Sequence, residues 1–184
     1  MSDIADRYRL VADRMTQIVD GVADGAWENP SPCAGWVARD LIRHMVDWMP
    51  GLLNSGAQVA LTIEPSVDTH PADAWRALDA GIQRLLDDPQ IAASEFVHER
   101  AGRHSLESAV GMFITGDVFI HTWDLARATA QDETLDADEV HRMLVGIEPM
   151  DEALRQSGHF GPRVDVAEDA SEQDRLLAFV GRRP

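Results

Sequence analysis

Asp117, His121 and Asp124 recur at helical spacing within one segment, and His44 falls on the apolar side of another. Asp117 and His121 are four residues apart, so on a helix they stack about 6 Å from each other along the axis. That spacing lets one cation sit between a carboxylate and an imidazole, with His44 as third donor. Two imidazoles and a carboxylate suit zinc, and also nickel, iron or manganese, since ligand type alone does not choose among them. Three protein donors leave a coordination position open, the arrangement of a catalytic rather than a structural site. A plainer arrangement uses the same residues. In it Asp117 and His121 hydrogen-bond each other, and His44 satisfies a backbone carbonyl. Asp124 lies one turn further on; it reads as a supporting group tethered to Arg127 or to the second helix, or as a further ligand. Trp48, one turn past His44, and Trp123, beside His121, are placed to line a pocket.

Apolar periodicity sets the elements that must carry these groups. Residues 3–23 form an amphipathic helix with Ile4, Tyr8, Val11, Met15, Ile18 and Val22 on one face. Two prolines and a glycine make 26–36 an irregular connection. A second helix spans 37–49, with Val37, Leu41, His44, Met45 and Trp48 inward, and Pro50-Gly51 should kink or stop it. Residues 54–70 read as a loop. Pro71 opens a third helix that ends at Asp88-Pro89. The segment 90–104 is ambiguous, with Glu95–His98 as a short extended piece. A long helix follows, N-capped by Ser105, and puts Val110, Phe113, Ile114, Asp117, His121, Asp124 and Ala128 on one stripe. A fifth helix opens at Asp136 with Glu139 three residues on, a capping-box-like start, and Pro149 should kink it. The tail is a Gly/Pro loop from Gly158, then a short helix after Ser171. The expected fold class is all-α: an antiparallel four-helix bundle with a short C-terminal extension, read as one domain over 1–184.

Composition excludes some partners. The 32 acidic against 16 basic side chains give a formal charge of −16, a field that repels a phosphate backbone or an anionic membrane surface. No apolar run approaches the roughly 20 residues of a membrane span. The first residues lack the basic and apolar regions of a signal peptide. Cys33 is the single cysteine, so no intramolecular disulfide forms, and a cytoplasmic setting is expected. Counted along the helix axis, Cys33 lies about 10 Å or more from the candidate centre, as a structural thiol packed in its loop. Arg39, Arg43 and Arg127 either hold a carboxylate substrate or form surface ion pairs.

Three separated segments carry a family resemblance. Pro30-Ser-Pro-Cys-Ala-Gly-Trp36 with Arg39-Asp-Leu-Ile-Arg-His44 resembles the N-terminal signature of the mycothiol-dependent maleylpyruvate isomerase-like proteins, a branch of the DinB-like superfamily. Asp117-x-x-x-His121-Thr-Trp-Asp-Leu-Ala-Arg127 resembles their second motif. Gly158–Pro162, followed by Asp174–Pro184, is similar to the ending of an uncharacterised actinobacterial subgroup. The resemblance implies a four-helix bundle whose divalent metal is held by His44, Asp117 and His121. The isomerase carries glutamate where this chain has Asp117. Aspartate is shorter by a methylene, which draws a metal closer to that helix or inserts a water. The implied chemistry uses mycothiol as co-substrate, a small-molecule thiol activated for attack on an electrophilic substrate in a transferase or isomerase reaction. Two other outcomes fit the same residues: a metal- or ligand-binding homodimeric module without turnover, and a metal-dependent hydrolase with Asp124 as base.

Overall fold

The Ser2 hydroxyl accepts from the Ala5 N–H and opens α1 (Asp3–Asp20), whose Asp3 and Asp6 favour the positive end of the helix dipole. The computed structural model describes residues 2–157 and 160–184, and these fall into two units, 1–131 and 132–184. Tyr8, Val11, Met15 and Ile18 of α1 are buried as the periodicity predicts.

The second helix, α2 (Ala38–Ala57), is longer than expected. It runs through Pro50 rather than ending there. Proline removes one backbone bond, but Met49 and Leu53 on either side are fully buried, and their packing holds both halves in line. Pro71 occupies the first turn of α3 (Pro71–Asp87). The Trp75 indole N–H donates to Thr16 Oγ1 at 2.9 Å and the Tyr8 hydroxyl to Asp79 Oδ1 at 3.1 Å, so polar groups as well as apolar faces join α3 to α1.

A short helix, α4 (Pro89–Ala92), leads into a two-stranded hairpin of β1 (Glu95–His98) and β2 (Gly102–Ser105). The extended reading of 95–98 holds, and its partner strand was not legible. Phe96 is fully buried and lies against Gly56 near the end of α2, where a methyl group would come within 2.1 Å of the ring.

The expected long helix is three pieces in line: α5 (Leu106–Ala109), a π turn (Val110–Ile114) and α6 (Thr115–Ala128). Ser105 caps it as expected, accepting from the Ser108 N–H. The π turn carries an extra residue, so α6 is rotated relative to what precedes it. The single stripe drawn through Val110 and Ala128 is therefore not a continuous face. Every residue from Val118 to Ala126 is buried. A helix enclosed on all sides has no stripe to display. Buried hydroxyls bond inside the helix: Thr115 Oγ1 donates to the Val110 carbonyl and Thr122 Oγ1 to that of Val118. The four long helices form a bundle in which α1 packs on α6, α6 on α2, α2 on α3 and α3 on α1.

In the second unit, Asp136 caps α7 (Ala137–Ile147) by accepting from the Glu139 N–H. Pro149 ends that helix in a 3-10 turn before α8 (Asp151–Ser157). Ser171 caps α9 (Glu172–Phe179), which packs on α7. Gly158 and His159, part of the third sequence motif, lie outside the described residues.

Two glycines of α2 test this packing. At Gly51 a methyl group meets nothing within 4 Å, whereas at Gly56 it meets Phe96. In urea denaturation Gly51→Ala should raise the stability by about 0.5–1 kcal/mol through helix propensity. Gly56→Ala should lower it, because overpacking costs about 1–3 kcal/mol and outweighs the same gain.

Candidate metal centre

His44 projects from α2 and Asp117 and His121 from α6, two helices that pack directly on each other. Their polar atoms converge. His44 Nε2 is 3.4 Å from Asp117 Oδ2, and His121 Nε2 is 3.5 Å from Asp117 Oδ1. The imidazole rings meet edge to face with centroids 5.1 Å apart. Donors held about 2.1 Å from a tetrahedral ion lie about 3.4 Å from one another, so these separations fit a cation of zinc's size. The shorter aspartate still reaches both imidazoles directly. His121 Nε2 lies at ion-pair distance from one oxygen of Asp117, and His44 Nε2 faces the other oxygen of the same carboxylate.

A second layer orients the first. His121 Nδ1 is 2.9 Å from Asp124 Oδ2, and Asp124 is completely buried. With the proton on Nδ1, the Nε2 lone pair faces Asp117 and His44, the carboxylate–histidine arrangement that fixes a metal-binding tautomer. Asp124 thus supports His121. The Trp48 indole N–H donates to Asp117 Oδ2 at 3.2 Å and holds the carboxylate from the α2 side. Trp123 is a core residue, 1% exposed, with the Arg127 guanidinium 4.3 Å above its ring. Arg39 pairs with Glu28 and Arg43 with Asp68 and Asp40, so both are engaged in ion pairs.

Two further side chains, Cys33 and Trp36, stand against the cluster. Cys33 is not remote: its Sγ lies 3.4 Å from Asp124 Oδ2, and it reaches the His121 imidazole as well. Counting along the helix axis fails because 30–37 is a closed turn. Pro30 bridges Val37, the Ser31 N–H donates to the Trp36 carbonyl, and Gly35 takes a left-handed φ of +80°. Doubling back brings Cys33 beside α6. The same turn lays Trp36 across both histidines, 5.2 Å from the His44 ring and 6.2 Å from that of His121. With Trp48 at 5.9 Å, His44 lies between two indoles. The Pro-x-x-Gly-Trp pattern of 32–36 was the available signal for Trp36.

Charge completes the picture. Burial pushes the Asp117 carboxyl up, but the imidazoles of His121 and His44 and the Trp48 N–H outweigh it, leaving its pKa below the usual range. Burial pulls His121 down, yet the Asp117 carboxylate and the contacts with Asp124 and Cys33 carry it up to about 10. His44 and Asp117 keep about a third and a quarter of their side chains exposed, against 6% for His121. The open side of the cluster is therefore the His44–Asp117 side.

The family described as mycothiol maleylpyruvate isomerase N-terminal domain matches residues 8–126, a span holding every residue of this cluster. The chain belongs to that family. Two curated relatives, uncharacterised proteins of Mycobacterium tuberculosis strains CDC 1551 / Oshkosh and ATCC 25618 / H37Rv, are each 28% identical over 177 residues. The alignment covers 95% of this chain and 95% of each relative. No solved structure matches it. Within the mycothiol maleylpyruvate isomerase N-terminal domain family, this chain is a DinB-like helical domain with a candidate metal-ligand group at His44, Asp117 and His121. A second group of that kind, Cys33, His121 and Asp124, shares His121 with it. No helix among the described residues is long and apolar enough to cross a membrane.

Because His121 is raised in the folded chain, its contribution to stability is complete below the unfolded value of about 6.5 and is lost as pH rises through about 10. On chelator-treated protein, the gap in unfolding free energy between wild type and His121→Gln should narrow across that window. A gap that widened with pH would contradict the charge balance described.

Proposed function

We propose that this chain binds a divalent metal through His44, Asp117 and His121 and acts with it on a low-molecular-weight thiol of the mycothiol type, as a transferase or isomerase. The observation carrying this reading is the convergence of two imidazole Nε2 atoms on one carboxylate at 3.4 and 3.5 Å, with the inner imidazole anchored by a buried second carboxylate. Zinc suits the donor set best, with nickel, iron or manganese as the alternatives. A bound divalent metal supplies an open coordination position that lowers the pKa of a thiol sulfur.

The chain's own residues have definable parts. His121, held by Asp124, presents its Nε2 lone pair from the closed side. His44 and Asp117 complete the donor set at the exposed side, where a thiol and an electrophilic substrate can enter. Trp36 and Trp48 wall the same side with apolar surface. The nucleophile would be the sulfur of the small thiol, which, having lost its proton to solvent, would bond to an electrophilic carbon as that carbon releases a leaving group with its electron pair (transfer) or gives up the π bond of a C=C, to be re-formed when the thiolate departs (isomerisation). The family supports the thiol half of the reading. The −16 charge supports a small-molecule partner over nucleic acid or an anionic membrane.

Metal analysis of the purified chain tests the first half. Wild type should retain a stoichiometric divalent ion. Asp124→Asn should weaken its binding about 10- to 100-fold, and His44→Ala, Asp117→Ala and His121→Ala should weaken it further. Wild type holding no more metal than these variants would sink the site. For the second half, mycothiol incubated with a panel of electrophiles should be consumed or should promote isomerisation only with the metal-loaded protein. Turnover without thiol would point to hydrolysis. No metal-dependent change across the panel would leave a binding module.

A further inference from the structure

Asp124 Oδ2 holds His121 Nδ1 at 2.9 Å and also lies 3.4 Å from Cys33 Sγ. Sγ, Nδ1 and Oδ2 thus form a closed triangle behind the imidazole, on the side away from Asp117 and His44. The carboxylate is completely buried, where a hydrogen bond to a charged acceptor is stronger than its exposed equivalent. Cys33 is fixed in place. Its N–H donates to Ser31 Oγ at 3.2 Å, the Ser31 hydroxyl donates back to its carbonyl, and so does the Trp36 N–H at 3.0 Å. The Asn29 side-chain amide donates to the Ala128 carbonyl at 3.0 Å, fastening the turn to the end of the helix that carries Asp124 and His121.

The geometry points to Cys33 as a positioning residue for the metal centre: its S–H fixes Asp124 Oδ2 against His121 Nδ1 and so keeps His121 Nε2 turned toward Asp117 and His44. This rests on the metal-binding role proposed above. The S–H adds a donor to the oxygen that holds Nδ1, which narrows the rotation open to the carboxylate and to the imidazole bonded to it, so less order must be imposed when an ion binds. A cation behind Nδ1 would have to displace the Nδ1 proton and break the 2.9 Å contact, which favours positioning over ligation at this triangle.

Zinc binding and nitrogen-15 NMR of the His121 side chain test the inference on three proteins: wild type, Cys33→Ala and Cys33→Ser. Cys33→Ala should raise the zinc dissociation constant about threefold to tenfold. Cys33→Ser keeps a donor and should bind zinc like wild type. In the chelator-treated protein the His121 Nδ1 proton should exchange with solvent faster in Cys33→Ala than in wild type or Cys33→Ser. Cys33→Ala binding zinc as tightly as wild type, or Cys33→Ser failing to restore affinity, would overturn the positioning role. If wild type itself bound no zinc, the metal reading would fall, and the exchange rates would still decide whether Cys33 holds the Asp124–His121 pair.

Discussion

A carboxylate and an imidazole pressed together in the dry centre of a helical bundle constrain everything near them. Asp124 is wholly buried and His121 nearly so, and either one alone would cost several kcal/mol to place there. The 2.9 Å contact between them offsets part of that cost for each. Its direction also matters. Because Asp124 occupies Nδ1, the remaining nitrogen of His121 can face only Asp117 and α2.

Around that pair the first unit grades from dry to wet. Asp124 is buried behind the imidazole with the half-buried Cys33 beside it, Trp36 and Trp48 flank His44, and His44 and Asp117 retain solvent contact. A small molecule approaching the cluster meets donors whose orientations are already set from behind, which is the form of preorganisation that favours tight metal binding. The aromatic walls are rigid and restrict where His44 can turn.

Aspartate at position 117 shows how tertiary packing accommodates a shorter side chain. Both imidazoles still reach its two oxygens, and Trp48 adds a third contact. The direct packing of α2 on α6 places His44 and Trp48 within reach of that carboxylate. The π turn just before Asp117 is part of the same geometry, since it sets the rotation at which α6 presents that residue.

Much of this was written in the residues themselves. Helical periodicity, the caps at Ser105 and Asp136, proline at the start of α3 and the i, i+4 pairing of Asp117 with His121 are local rules, and each can be read within a dozen residues. His44 followed from its place on the apolar side of the second helix, and the separated motifs carried the family. What the chain could not disclose locally was decided by contacts between distant segments. Pro50 stays helical because buried neighbours hold it. Gly102–Ser105 is a strand because Glu95–His98 pairs with it. Cys33 sits beside Asp124, 91 positions away in sequence, because a closed turn folds back onto α6. Periodicity measures distance along one axis. The placement of Cys33, Trp36 and Asp124 around a single imidazole depends on distances between axes, which only packing sets.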